Sequence, residues 1–523
     1  MAPLDLLKGA GAIDSPYQFH WRRFFFETFT QGNGFTALAA PAVKDTLPLA
    51  TVQAFSIDDS ATTEIDDALS VQGLGTGTVV FGIHIAAPAL AIAPDSPIDK
   101  VARERLSTVY MPGWKITMLP DAVVQTYTLT AGRDCPAVSL YVTLDEATLE
   151  VRSSETRIER VPIAANLRHD QLDSVVTEAA LTGQAAAGYA FAPELAFAFR
   201  LARALKARRE VVRGKPETFN RPDYNFKLER GSGQDGEPTG AERVLIGTRQ
   251  RGAPLDLIVA EAMILANSTW GGWLAEHGVP GIYRSQASML PGVKVKMGVR
   301  PAPHAGMGVA QYTWATSPLR RYVDLANQWQ IVACVRHGRS AALAAPFKPK
   351  DAALFSVISA FDGAYSAYND FQNGIERWWT LRYLEQNAVT ELDAVVMKDG
   401  LVRAETLPLV FRLPGTESWP RGARVRGRIT GIDLLTMELH ANVLARLDLA
   451  QTPGAIIEED TAEDEVAGTG PLSLAIDLGE MADPAAPAAA EPALDAATEA
   501  APEAATDAAA DPSPEAATAT TSG

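Results

Sequence analysis

The pattern of apolar and polar positions changes character several times along the 523 residues. Residues 51–160 carry short β-prone runs at 78–85, 137–144 and 151–161, separated by turn-forming residues. From 171 to 214 the pattern turns helical and alanine-rich, with basic residues at helical spacing through 194–213. A polar loop follows at 231–240. Helices are predicted over 255–276 and 317–337, and a long amphipathic one over 355–386. Between 390 and 447, β-prone runs at 394–397, 401–407, 409–411, 423–432 and 435–439 are cut by Gly, Pro and Asp turns. Five short strands at that density fit a small all-β, OB-type barrel. Near the start, residues 18–29 mix aromatic and basic side chains, among them Phe19, Trp21, Arg22, Arg23, Phe24 and Phe26. They predict a short helix whose rings pack on the next domain. Beyond 448 the Ala/Pro/Glu/Asp-rich sequence offers too little apolar surface to fold. The expected organisation is therefore a helical segment 1–50, a mixed α/β (α+β) domain 51–388, a barrel 389–448 and a disordered acidic tail 449–523.

Composition narrows the class. With 47% apolar and 21% charged residues the chain is globular, and no stretch reaches membrane-spanning length without charge or proline. The N-terminus lacks a basic region followed by an apolar run. Cys135 and Cys334 cannot supply a disulfide framework or a four-ligand zinc site, and both read as buried thiols. A cytoplasmic monomer is expected. The net charge of −17 opposes nucleic-acid binding only until it is apportioned. Residues from 451 onward hold 16 of the 63 Asp and Glu and no Lys or Arg, which leaves 47 acidic against 46 basic groups in residues 1–450, a net of −1. A near-neutral body can present a basic channel. Phosphate-loop, nucleophile-elbow and H-E-x-x-H motifs are absent, so nucleotide-driven motors, serine hydrolases and zincins have no support.

Chemistry concentrates in residues 56–67, S-I-D-D-S-A-T-T-E-I-D-D. Asp58, Asp59, Glu64, Asp66 and Asp67 fall within ten residues, with no Lys or Arg among them. Apolar Val52, Ala54, Phe55, Ile57, Ala68 and Leu69 flank them. Crowded carboxylates beside a buried strand repel one another and resist desolvation, and a hard cation, Mg²⁺ or Mn²⁺, is the usual compensation. Neither a straight strand nor a helix gathers these acids on one face. They converge if the chain leaves a strand at Asp59-Ser60-Ala61-Thr62, loops and returns. From charge pattern alone, a solvated acidic turn remains an equal alternative.

Other segments decide between them. H-I-A at 84–86 follows a strand-like run, T-V-Y-M-P-G-W-K-I-T-M-L-P occupies 108–120, A-E-A-M-I-L-A-N occupies 260–267, and Y-T-W-A-T-S-P-L-R-R-Y-V-D occupies 312–324. Together with the acidic stretch, these five in order resemble the ribonuclease II (RNB) family of 3′→5′ exoribonucleases, across roughly residues 51 to 385. The family's acidic pattern is an aspartate, then acids six, eight and nine residues on, then Ala-Leu. Here these are Asp58, Glu64, Asp66 and Asp67, then Ala68 and Leu69. Glu64 stands where aspartate is commoner. Residues 1–50 are too short for the two cold-shock OB-folds found ahead of the catalytic domain in many relatives.

The resemblance implies an RNB catalytic domain followed by an RNA-binding barrel, with four arginines in the run R-G-A-R-V-R-G-R-I-T-G-I-D at 421–433. It implies Mg²⁺-dependent hydrolysis of single-stranded RNA from the 3′ end, releasing nucleoside 5′-monophosphates. Asp58, Glu64, Asp66 and Asp67 become the metal and catalytic set, with Asp58 and Asp67 favoured as direct ligands and Asp59 dispensable. Arg320, expected in the first turn of a helix after Ser317-Pro318, becomes the catalytic cation, because a guanidinium forks onto phosphate oxygens. Tyr110 and His169 are expected to stack on RNA. Arg321 and Glu376 are assigned to RNA binding, with a structural pairing of Arg321 to Asp324 as the alternative, and Arg377 is a further candidate for the channel floor. Two rival readings remain: a non-catalytic RNA-binding protein on the same fold, and an endoribonuclease using the same metal site.

Overall fold

The computed structural model describes residues 6–447, less positions 8, 14, 31, 36–37, 218–221, 230–235, 251 and 291. The acidic tail expected from 449 lies outside the described residues. Helix α1 (Pro16–Thr28) precedes strands β1 (Ala54–Asp58), β2 (Asp67–Gln72) and β3 (Thr78–Ala86). Helix α2 (Pro97–Arg105), the ribbon β4 (Val109–Met111) and β5 (Trp114–Ile116), and helix α3 (Asp121–Tyr127) come next. The long strands β6 (Asp134–Asp145) and β7 (Val151–Arg168) lead into the single helical turn α4 (His169–Leu172). Helix α5 (Ala192–Arg213), the hairpin β8 (Pro222–Glu229) and β9 (Arg243–Gln250), and helix α6 (Pro254–Glu276) follow. Strands β10 (Tyr283–Ser285), β11 (Lys296–Gly298) and β12 (Tyr312–Thr313) form a small sheet before α7 (Tyr322–His337) and α8 (Ala352–Gln386). Strands β13 (Glu391–Val396), β14 (Leu401–Ala404), β15 (Val410–Arg412), β16 (Arg424–Asp433) and β17 (Glu438–Arg446) complete the described chain.

Strands β1, β2, β3, β6 and β7 close into a barrel, with β1 antiparallel to β2 and parallel to β7. Alternation along the strands assigns their faces. Phe55, Leu69, Ile83, Ile85, Val138 and Leu140 join one core with α5 and α6 through Leu201, Ile258 and Trp270. The excursion between β1 and β2 has the predicted form. Asp59 makes an Asx turn, its Oδ1 accepting from the Ala61 N–H at 2.8 Å, and the chain returns to pair Phe55 with Leu69. Asp58, which ends β1, and Asp67, which starts β2, therefore share one end of the barrel.

Three differences from the sequence reading have physical causes. Helix α7 starts at Tyr322, so Arg320 precedes the helix instead of lying in its first turn. The segment ahead of the helix is drawn into β-like pairing with residues 106–108: Thr108 N–H donates to the Arg320 carbonyl at 2.9 Å, and Tyr322 N–H to that of Leu106 at 2.8 Å. The residues flanking the polar stretch pair as the β8–β9 hairpin, from Pro222–Gln250 to Glu229–Arg243, an element the loop reading left out. In the C-terminal region five strands form, as one antiparallel sheet of order β15-β14-β13-β16-β17. Three of the four arginines in the 421–433 run face acids across the sheet: Arg424 pairs with Glu405, Arg426 with Asp393 and Arg428 with Glu391.

The remaining elements frame the barrel end. Helix α1 starts on a Ser15 cap with Pro16 at its first position. Tyr17, Trp21 and Phe24 pack as expected, Phe24 stacking on Phe371 of α8 at 3.7 Å between centroids and Tyr17 meeting Trp378 edge-on, whereas Phe26 is exposed. Arg377 of α8 donates to the Met437 and Val410 carbonyls, joining α8 to the C-terminal sheet. Cys135 and Cys334 are buried and free. Among the described residues no helix is long and apolar enough to cross a membrane.

Candidate functional site

A cleft of about 840 Å³ opens at the barrel end, and Asp58, Asp59, Glu64, Asp66, Asp67, Tyr110, His169, Arg320 and Glu376 all line it. Of the sequence-predicted set, Arg321 and the further candidate Arg377 do not line this cleft, Arg377 being turned to the C-terminal sheet. The Arg321 side chain is held elsewhere. Its guanidinium grips Asp324 from Nε at 2.8 Å and Nη2 at 2.9 Å, and sits 4.2 Å over the Trp314 ring. That is the structural pairing held open as the alternative.

The acids differ in what already engages them. Asp66 is 3% exposed; Oδ1 accepts from the Leu319 N–H at 2.9 Å and Oδ2 from Arg320 Nε at 3.1 Å. Arg320 Nη2 donates to Ser317 Oγ at 2.5 Å, and Nη1 makes no hydrogen bond to a described residue. Among the described residues, the Asp58 carboxylate accepts only from Ser56 Oγ, at 2.5 Å. Asp67 is 8% exposed, yet its carboxylate accepts no hydrogen bond from any described residue. Burial pushes the carboxyls up: Asp58 to about 6, Asp66 to about 7 despite the opposing pull of Arg320, and Asp67 well above the ordinary range, with the charges of Asp58 and Asp66 adding to the rise.

Glu64 is committed elsewhere. Its Oε2 meets Lys115 Nζ at 2.6 Å and accepts from the Tyr110 hydroxyl at 3.2 Å, while Oε1 accepts from Thr108 Oγ1 at 3.2 Å. The β4–β5 turn sets this up. Pro112 and Gly113 occupy its centre, and Gly113 takes φ +72°, the left-handed value that glycine adopts freely at this turn position. The tight turn pairs Tyr110 with Lys115 across the ribbon. The M-P-G-W sequence carried that signal, although Lys115 was not singled out. Arg249, Tyr224 and Phe226 were also missed; the β8–β9 hairpin brings them to the cleft. His169 is 4% exposed and follows directly on β7.

Buried acids and an arginine with a spare donor are the groups that can hold a cation and an anionic ligand. A family model described as "RNB domain" matches residues 47–297 and 293–337, and the chain belongs to this family. An uncharacterized ribonuclease of Synechocystis is 29% identical over 69% of this chain and 53% of its own length. The chloroplastic/mitochondrial ribonuclease II of Arabidopsis thaliana is 25% identical over 70% of this chain and 45% of its own. The chain thus spans about half the length of the curated relatives it matches. The apo form of Mycoplasma genitalium RNase R shares the fold at TM-score 0.63, 14% identity, 77% of this chain and 72% of that one. Yeast Ssd1, a pseudonuclease, does so at TM-score 0.54, 16% identity, 77% of this chain and 56% of that one.

Proposed function

We propose that this chain hydrolyses single-stranded RNA from the 3′ end with Mg²⁺, releasing nucleoside 5′-monophosphates. The observation that carries the reading is Asp67, a buried carboxylate without a hydrogen bond from any described residue, beside an arginine fixed by Asp66. Uncompensated buried carboxylates are costly, and a cation meets that need. Mg²⁺ binds through one or two carboxylates, keeps several waters and takes phosphate oxygens as further ligands. Asp58 and Asp67, the least engaged of the four, fit that donor set. When bound, the ion supplies Lewis acidity and a more acidic water.

The chain's own groups do the rest. Asp66 orients Arg320, whose free Nη1 is available to the charge that develops on a phosphate in the transition state. Glu64 fixes the Tyr110 hydroxyl, leaving the ring to stack on a base. Tyr224 and Phe226 add sequence-tolerant aromatic surface along the same cleft. Glu64 also favours a second reading, a non-catalytic RNA-binding protein, since Lys115 already neutralises one of the four expected acids. One assay separates the two: 5′-labelled single-stranded RNA with Mg²⁺, beside Asp67→Asn. The expected result is a shortening ladder with mononucleotide release, lost in the variant while binding persists. Binding without Mg²⁺-dependent degradation by the unmodified chain selects the second reading.

A further inference from the structure

The excursion after β1 and the turn after β7 bring together three metal-ligating side chains that the function above leaves unused as ligands. Asp59, His169 and Asp170 each offer one ligand atom, and these atoms lie within 4.8 Å of one another. Among the described residues this is the one such group. His169 gives it meaning beyond charge. The side chain is about nineteen-twentieths buried, its Nδ1 has no hydrogen-bond partner, and its Nε2 lies 3.9 Å from Asp59 Oδ2, beyond hydrogen-bond reach. A buried imidazole without a partner forfeits solvation and gains nothing in return.

The carboxylates are already positioned. Asp170 Oδ1 accepts from both the Ser60 N–H at 3.0 Å and Ser60 Oγ at 2.9 Å. Asp59 Oδ1 accepts from the Ala61 N–H, and the Asp59 carbonyl accepts from Arg168 at 2.8 Å. Each carboxylate thus uses one oxygen to fix itself, and Oδ2 of each accepts no hydrogen bond from a described residue. The nearby Arg249 is engaged by Asp173 and Asp256, both at 2.6 Å.

We propose that Asp59, His169 and Asp170 form a second cation site, distinct from the one holding Asp58 and Asp67, that takes a transition-metal dication such as Zn²⁺ or Mn²⁺ in preference to Mg²⁺. Ligands about 2 Å from such an ion stand up to about 4 Å apart, close to the spacing found. Imidazole suits zinc and its neighbours, whereas magnesium prefers an all-oxygen shell. The ion ties the β1–β2 excursion to α4 and puts positive charge on the cleft wall, where Asp59 and His169 already stand.

The test reads binding and not RNA degradation, so it stands or falls separately from the ribonuclease reading. The full chain carrying Asp67→Asn, which weakens the other site, is titrated calorimetrically with Zn²⁺, then challenged with excess Mg²⁺. One Zn²⁺ per chain that Mg²⁺ does not displace is expected. Adding Asp170→Asn, an exposed position where the amide oxygen still accepts from Ser60, weakens binding about tenfold or more. His169→Phe does the same, and metal-free melting temperatures check that both variants fold. No Zn²⁺ site in the Asp67→Asn chain, displacement by Mg²⁺, or affinity unchanged by Asp170→Asn overturns the proposal.

Discussion

Arg320 is held against the barrel end by Asp66, which accepts from its Nε at 3.1 Å through Oδ2 while Oδ1 accepts from the Leu319 N–H at 2.9 Å. One carboxylate therefore fixes both the guanidinium and the backbone that carries it. This joins two segments about 250 residues apart and gives Asp66 a positioning role that the acidic pattern alone did not assign.

Removing either partner should slow chemistry more than it weakens RNA binding. Arg320→Ala is expected to lower the single-turnover rate about 10²–10³-fold, the usual effect of losing one preorganised donor to a developing charge. Asp66→Asn should approach the same loss, because the amide keeps the shape but not the charge-assisted bond. Rates and gel-shift affinities measured on the same RNA check this. A loss confined to affinity would assign Arg320 to uniform substrate binding.

Arg321 should behave in the opposite way. Both of its forked bonds go to Asp324, which also accepts from the Ser317 N–H at 2.9 Å. Arg321→Met leaves a buried carboxylate without its cation and is expected to cost about 3–5 kcal/mol of stability. Denaturant titration reads the cost. A variant as stable as the unmodified chain but defective in RNA binding would return Arg321 to the RNA interface.

Without divalent cations, stability should fall as pH rises. Asp58, near 6, and Asp66, near 7, are both raised by burial above the unfolded value of 3.8. Between the unfolded and folded values the folded state binds more protons, so raising pH favours unfolding. Their contribution is complete below about pH 4 and is lost as pH passes through about 6–7. Melting temperatures in EDTA should therefore decline from pH 5 to pH 8, and by less in Asp66→Asn. Mg²⁺, which favours the ionised carboxylates, should raise the melting temperature more at pH 8 than at pH 5. A decline of equal size in the variant would show that other groups cause it.

What the sequence disclosed follows from the range of each interaction. The strand, excursion and return at Asp58–Asp67 were legible because turn chemistry and flanking apolar residues are local. The β8–β9 hairpin was legible in principle, since Tyr224, Phe226 and Leu228 alternate with polar neighbours, but the intervening polar stretch drew attention to the loop instead. The start of α7 was not legible. Ser317-Pro318 gives a plausible local start, and pairing with residues 106–108 together with Asp66 overrides it. The tertiary partners of Glu64 were likewise hidden, although the turn that aims Lys115 was written in Pro112-Gly113.

The Glu64–Lys115 pair offers the sharpest test of how this site departs from a set of four equivalent acids. The Glu64 side chain is 2% exposed and that of Lys115 29%, so the pair is partly desolvated and worth more than a surface ion pair. Lys115→Met strands the Glu64 charge and is expected to cost about 2 kcal/mol. Glu64→Gln removes that charge while the amide oxygen still accepts from Tyr110 and the amide NH2 faces the Thr108 hydroxyl oxygen as a donor, so the double variant should recover part of the loss. The coupling energy from a urea double-variant cycle should be about 1–3 kcal/mol. Activity gives the second readout. If Glu64 acts only by anchoring Tyr110, Glu64→Gln should keep most of the rate of RNA degradation, whereas Asp67→Asn abolishes it. Equal losses in Glu64→Gln and Asp67→Asn would instead place Glu64 beside the metal ligands.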